Sequence, residues 1–548
     1  MNKLINYIKQ KKYTLAFSII FSVMLFLSYK IIFLNGVFSN NEEIYFEGFS
    51  FFDFIYYIII NIITFIICDI IFNKIKESKL GIEETREVKR KNIIKLFLSS
   101  TALMIICWLP YILSYMPGGV YVDTYASILM ATNLGTINNH HPILYTLTWK
   151  LFLIIANIFN QNINFAIGAF TIVQCLAMIV CFSSFICWLY SKKIKKIYII
   201  FTFIFYAFYP LIPIYGVSLW KDTPFSIYLF MYSFLILDLV FDNNINEKLN
   251  KKSRFILYML LTFLVAFGRN NGIYIIIATS LCLIIYLFIK NKENKKTNIV
   301  FSIVSSIIII ISIVIQGPIY NGLKFNIDEK TEKYGIPIQQ VAYIITNDGN
   351  VSDDELDFFD KIMNVDSIKR EYRPCIVDTL KYSEEFDDGF FKENSSEFVQ
   401  KYISVVLKNP VMAIKGFLLA NLGIWDINKS TADGYISCST WDGVPFEQTD
   451  IFENIFEQSI RNHISNYPVI SQSLFTWIII FCIFNILNKG NKRLILPLIP
   501  CIILVGTLMI ATPIAFSFRY VFSTLLVMPI AIVCVLGKKE NKKTTIEK

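Results

Sequence analysis

The 548-residue chain is 55% hydrophobic and 16% aromatic, with only 17% charged residues and a formal net charge of +9. That composition excludes an ordinary soluble globular protein and places most of the chain in a bilayer. The positive charge sits in short turns between apolar runs, which accounts for it as membrane anchoring and leaves no nucleic-acid partner to invoke.

Crossing the hydrocarbon takes about 20 apolar residues. Windows of that kind fall near 14–35, 51–72, 94–114, 163–190, 197–216, 223–241, 255–268, 272–289, 298–316, 469–487, 494–513 and 519–536. They predict an all-α, polytopic transmembrane protein with about twelve spans. The first window is too long for a cleavable signal, and no small-residue cleavage pattern follows it.

Lys and Arg collect in the N-terminal stretch, in the 73–92 turn, at 192–196, 248–254, 290–296 and 489–493, and in the C-terminal tail. If the spans alternate, all of these lie on one side, and the bias toward basic inner loops makes that side the cytoplasm. Both termini are then expected to be cytoplasmic, in a bacterial plasma membrane. This arrangement requires the apolar stretch 143–158, about 16 residues with Lys150 inside it, not to cross. It is read as an interfacial or re-entrant helix.

Four regions follow: a two-span N-terminal addition with its basic turn (1–93), a membrane core whose first outer loop is 115–142 (94–316), a polar extracytoplasmic domain (317–468), and a three-span block (469–548). The polar domain reads as mostly helical. Ser352 ahead of Asp353, Asp354 and Glu355 marks a helix start. Residues 396–408 and 410–424 have helical apolar spacing, the second expected to lie on the membrane. Cys375 and Cys438 share this domain, and a disulfide between them is one open alternative. The unlike halves argue against the duplicated design of many transporters.

Five clusters carry the polar chemistry, and the predicted topology puts all of them on the outer side. Pro117, Gly118 and Gly119 break the third span, and Asp123 follows. A carboxylate there suits a general base, against the plainer reading of an N-cap for 124–134. His140 and His141 are two of only three histidines, and they suit positioning of an acceptor or phosphate. Lys221 and Asp222 are pinned in a short turn, where the lysine suits a lipid phosphate and an ion pair is the default. Arg269, among Gly268, Asn270, Asn271 and Gly272, reads as a tight hairpin with unusual torsions and a phosphate-binding fork. Arg519 opens the last span. The paired Gln339 and Gln340 begin a helix, and glutamines suit sugar hydroxyls. No cofactor is implied except a divalent metal, Mg or Mn, for which Asp123 and His140 are the residues on offer.

The layout of Asp123 with Asn139-His140-His141-Pro142, Leu219-Trp220-Lys221-Asp222, Arg269-Asn270-Asn271-Gly272, Pro337-Ile338-Gln339-Gln340 and Phe518-Arg519-Tyr520 resembles the type C (GT-C) polytopic membrane glycosyltransferases. It is most similar to a bacterial branch of membrane proteins of unknown function. The chain departs from that superfamily in lacking an Asp-x-Asp or Glu-x-Asp pair in the first loop.

The resemblance implies an inverting transfer of a sugar from a polyprenyl-phosphate donor to a cell-envelope acceptor. Asp123 is then the base. Lys221, Arg269 and Arg519 hold the lipid phosphate, and His140 and His141 position acceptor or phosphate. Asp222, Asn270, Asn271, Gln339 and Gln340 meet the sugar. The alternative is a transporter or flippase of lipid-linked envelope precursors, which needs polar residues along a midplane path. A third reading is a receptor for cell-wall polymer.

Overall fold

The computed structural model describes residues 2–34, 43–77, 81–83, 85–242, 245–290, 294–325, 330–428, 440, 442–465, 470–511 and 514–537. The chain opens with α1 (Asn2–Tyr29), a small antiparallel hairpin β1 (Ile31–Phe33) and β2 (Ile44–Phe46), then α2 (Phe51–Glu77) and α3 (Arg90–Ser114). The core continues through α4 (Val122–Ala131), α5 (Ile143–Ile158), α6 (Ile163–Ser191), α7 (Lys196–Phe208), α8 (Leu211–Val217) and α9 (Asp222–Phe241). It ends with α10 (Ile245–Leu249), α11 (Lys252–Gly268), α12 (Gly272–Lys290) and α13 (Lys295–Val314).

The polar segment holds short helices: α14 (Tyr320–Gly322), α15 (Lys330–Lys333), α16 (Gly335–Thr346), α17 (Asp353–Ile362), α18 (Val365–Glu371), α19 (Asp378–Lys381) and α20 (Asp388–Glu393). Then come α21 (Ser395–Lys408), α22 (Pro410–Ala420), α23 (Leu422–Trp425), α24 (Ile451–Phe456) and α25 (Ile460–Ser465). The last block is α26 (Ser473–Lys489), α27 (Ile499–Ala511) and α28 (Phe522–Leu536), the last two each preceded by a 3₁₀ turn.

The protein is an all-α, multi-pass membrane protein. Among the described residues nine helices are long and apolar enough to cross, and up to eleven if each of two bent pairs is one span. Each of the twelve windows read from the sequence contains a helix, the first running on past α1 into β1. The 197–216 window is α7 and α8 with a 48° bend. Two others, α11 and α26, have 17 residues each, the lower end of the spanning range. Helix α5 is 16 residues long and leaves Leu147, Leu151, Ile154 and Ile158 exposed.

Of the candidate spans among the described residues, α9 and α28 are the most enclosed, buried on nearly every side. Helices α2 and α13 keep most of their apolar surface outward. In a bilayer, apolar contact alone gives little association, so close packing and interhelical hydrogen bonds hold the bundle. Tyr258 on α11 reaches Ser280 on α12 and Ser305 on α13, each at 3.1 Å.

The basic turns do meet at one end of the bundle. Asp238 accepts from Trp188 at 2.9 Å and pairs with Arg254. Lys192 pairs with Asp242, and Arg493 caps the Phe241 carbonyl at 3.2 Å. The starts of α9, α12 and α28 lie at the opposite end. The two enclosed helices therefore present their first residues side by side on a rigid base.

The polar segment packs around a second apolar cluster that also takes in Phe17 and Met24 of α1 and Trp477 of α26. Its α17 starts with a capping box between Ser352 and Glu355, the helix start read from the sequence. Helices α21 and α22 meet at a 111° elbow, with Leu407, Val411 and Ile414 exposed around it. Cys375 is buried with its Sγ near the Leu419 carbonyl, 3.4 Å; Cys438 lies outside the described residues.

Candidate functional site

The site is assembled by two backbone segments that lie against each other. Gly119 donates to the Val217 carbonyl and Leu219 donates back to the Gly119 carbonyl, both at 3.0 Å, so residues 117–121 and 217–221 run parallel for one bridge. Four side chains fasten the pair. Thr171 donates to the Pro117 carbonyl at 2.7 Å, Gln174 donates to Gly216 and Ser218 at 2.8 and 3.0 Å, and Thr124 and Tyr145 both donate to the Leu219 carbonyl.

Gly118 is required here. Its φ is +146°, and a Cβ would stand 2.2 Å from Thr171 Oγ1. Gly118→Ala is expected to cost roughly 1–3 kcal/mol, the usual range for strained backbone, read as a lowered melting temperature of the purified protein.

This bridge sets Asp123 beside Lys221. Tyr121 is the N-cap of α4 and Asp123 sits in its first turn, so the plainer reading of Asp123 as a cap is wrong. Its carboxylate turns to two cations: Oδ2 is 3.3 Å from Lys221 Nζ and 3.0 Å from Arg519 Nη1. Asp123 keeps 23% of its side chain exposed. Burial pushes its pKa up, but the charges of Lys221 and Arg519 outweigh that and hold the carboxyl well below the ordinary range.

His141 is nearly buried, and Lys221 Nζ donates to its Nδ1 at 2.7 Å. A lysine ammonium has only donors, so Nδ1 accepts and the ring proton sits on Nε2. Burial and the neighbouring lysine charge push His141 down to about 3, so it is neutral at working pH.

That shift makes a stability prediction. The unfolded ring protonates near its ordinary value while the folded one does so only near pH 3. The unfolded state therefore binds the extra proton, and stability is complete above about pH 6.5 and falls as pH drops through that window. The slope from this group is about 1.4 kcal/mol per pH unit. Between pH 6.5 and 5, before the carboxylates titrate, His141→Gln is expected to flatten the fall in melting temperature.

Arg519 is held on every side. Its guanidinium stacks over Trp220 at 3.9 Å, and the other face of Trp220 is stacked on Tyr121 at 4.0 Å and 16°. Arg519 also donates to Ser517 Oγ at 3.3 Å and to the Tyr520 hydroxyl at 3.1 Å. The 3₁₀ turn Phe518–Val521 before α28 lets Tyr520 stand between the two arginines, with Arg269 5.0 Å from its ring. Trp220 and Tyr520 stand in the sequence motifs without a role, and Tyr121, Thr124 and Tyr145 are not singled out by the sequence. Their one signal was the density of aromatic residues at these membrane ends.

Several sequence assignments change. Asp222 is 1% exposed and pairs with Arg269 at 3.2 Å, so it is the counter-ion of that arginine and has no surface for a sugar. Arg269 also donates to the Tyr520 carbonyl at 3.3 Å. Asn270 donates to the Asn139 and His140 carbonyls at 3.1 and 3.5 Å and so fixes the histidine loop. Asn271 donates to Thr507 at 2.8 Å. None of residues 268–272 has a positive φ. Gly272 is there for space, since a Cβ would stand 1.9 Å from the Val265 carbonyl.

Gln339 and Gln340 are buried in the polar segment, donating to the Arg373 and Ala413 carbonyls at 2.9 and 2.8 Å, and Gln340 also accepts from Tyr402 at 2.7 Å. They hold α16 in place and do not join the cluster. His140 lies edge-on to His141, ring centroids 4.5 Å apart.

The polar segment covers the first loop. Thr440 Oγ1 accepts from the Val120 amide at 3.3 Å, and Thr449 donates to the Met116 carbonyl at 2.8 Å. Lys221 also lines a narrow slot with Leu144, Tyr145, Phe170, Pro224 and Tyr228. Among the described residues no three of His, Cys, Asp and Glu are grouped to hold a metal. At Asp123 two cations already occupy the carboxylate, a poor donor set for a divalent ion.

Residues 105–548 match the pattern of a family of unknown function, DUF6020. The chain belongs to that family. The DUF6020 match takes in every residue of the cluster and leaves out α1, α2 and the first part of α3. No curated protein and no solved structure matches the chain.

Proposed function

We propose that this DUF6020 protein is a membrane glycosyltransferase that moves a sugar from a polyprenyl-phosphate donor to a cell-envelope acceptor. The observation that carries the reading is one carboxylate, Asp123, placed against two fixed cations, Lys221 and Arg519, at one end of the bundle. In the reaction the acceptor hydroxyl oxygen attacks the anomeric carbon, and the carbon–oxygen bond to phosphate breaks. The electron pair leaves with polyprenyl phosphate, and the hydroxyl proton goes to Asp123. Attack from the face opposite the leaving group inverts the anomeric centre.

Lys221 and Arg519 oppose the charge that develops on the departing phosphate. Neutral His141, with its Nε2 proton free to donate, suits positioning of acceptor or phosphate.

By the rule of basic inner loops, the end with Lys192, Arg254 and Arg493 is cytoplasmic and the cluster faces outward, in a bacterial plasma membrane. A transporter is disfavoured because the charged residues gather at the two ends of the bundle.

The test is release of free polyprenyl phosphate from a panel of polyprenyl-phosphate sugars by the purified protein, with envelope extract as acceptor. Release from one donor identifies the sugar. Transport of a lipid-linked precursor across a proteoliposome membrane without release would replace this reading.

A further inference from the structure

We propose that Asp123 and an incoming phosphate compete for the same two cations, so that Lys221 and Arg519 form an anion site that Asp123 fills until the phosphate displaces it. The identity of the phosphate rests on the transferase reading; the competition rests on geometry alone. A single oxygen, Asp123 Oδ2, meets both Lys221 and Arg519.

Neither cation is free to serve a second anion elsewhere. Lys221 is tied to His141 Nδ1 at 2.7 Å. Arg519 lies flat on Trp220, which Tyr121 pins from behind, and two of its other donors go to Ser517 and Tyr520. The cations therefore keep their aim, and the carboxylate, the most exposed of the three side chains, is the partner that can yield.

Charge favours the exchange. Lys221, Arg269 and Arg519 face Asp123 and Asp222, with His141 neutral, so the cluster carries one surplus positive charge. A phosphate brings the balancing charge and, as a tetrahedral group with several acceptor oxygens, can meet a lysine and an arginine together.

The consequence is an order of events. While paired, Asp123 is a weak base, because the cations that keep it ionised also hold its affinity for a proton down. A phosphate that takes over Lys221 and Arg519 removes that restraint, and the carboxylate gains basicity only when a donor is in place. Donor binding thus precedes productive acceptor binding.

The experiment is equilibrium binding of inorganic phosphate and of detergent-solubilised polyprenyl phosphate to the purified full chain. If Asp123 competes, Asp123→Asn is expected to bind both probes about tenfold more tightly than wild type, a change of ~1.4 kcal/mol. Asp123→Glu, which keeps the charge, should return toward wild type. Unchanged or weaker binding in Asp123→Asn overturns the competition while leaving the donor reading standing. Weaker binding that EDTA reproduces in wild type would mean a metal bridge in its place. Tighter binding without transfer from any donor keeps the competition and removes the transferase reading. No binding of either probe by either protein removes the anion site itself. Should Asp123→Asn fail to fold, wild type still decides: adding inorganic phosphate must shift a carboxylate stretch in the infrared difference spectrum, and the absence of a shift overturns the proposal.

Discussion

Asp123→Asn is expected to lower turnover by roughly 10²–10⁴-fold, the range over which a positioned general base acts, with the protein still folded. Asparagine has the same shape and can still accept hydrogen bonds from Lys221 and Arg519, but it cannot take a proton. The loss should appear in kcat. If the carboxylate also competes with donor phosphate, the apparent donor affinity should rise at the same time, so kcat falls while KM for donor falls too. A merely structural role for Asp123 predicts the opposite pair, a modest fall in kcat with a raised KM and a lowered melting temperature.

The pH profile separates the readings further. Without donor, the charges of Lys221 and Arg519 hold the Asp123 carboxyl low. The profile of kcat/KM, which reports the free enzyme, should therefore show no loss from Asp123 on acidification to the ordinary carboxylate range. The profile of kcat, which reports the loaded enzyme, should show an acid limb there once phosphate has drawn the cations away. Full turnover in Asp123→Asn with wild-type donor affinity would remove this residue from the chemistry.

Much of this molecule was legible in its sequence because a bilayer restricts the choices. A long apolar run in a single chain segment is satisfied there by a helix, and each of the twelve windows contains one. Charges are rare in such a chain, so the few at span ends were conspicuous, and Asp123, His141, Lys221 and Arg519 do converge. What the sequence did not carry was who pairs with whom. Asp222 directly follows Lys221 and Asp123 has no Lys or Arg near it in the chain, but the arginine partners are Arg269 for Asp222 and Arg519 for Asp123, brought in by the packing of α11 and α28 against α9.

The glutamines show the same limit. Gln339 and Gln340 look available on paper, yet their amides are taken by the carbonyls of Arg373 and Ala413, 34 and 73 residues away. Nothing in the local pattern of either segment announces that. The hairpin at 268–272 was read for torsional freedom, whereas the constraint is the room left beside the Val265 carbonyl.

The pairing of Asp222 with Arg269 gives the largest expected effect on stability. Asp222 is at the start of α9, 1% exposed, and its ion pair with Arg269 is 3.2 Å long. Removing one member of a buried pair leaves the other charge in a poorly solvating site and typically costs about 3–5 kcal/mol, far more than the pair itself contributes. Arg269→Gln should therefore destabilise the protein strongly, and Asp222→Asn, which strands a less buried arginine beside Tyr520, somewhat less. The double variant should recover most of the loss, because two neutral amides can bond to each other in the same space. A cycle of melting temperatures in one detergent reads this coupling directly.

The same cycle tells whether Arg269 also meets the donor. If its work is confined to Asp222, the double variant regains both stability and polyprenyl-phosphate release. If the guanidinium also touches phosphate, stability returns and release does not. Additive losses, with no recovery in the double variant, would mean that the two residues are not partners and that the cluster is organised differently at this end of α9.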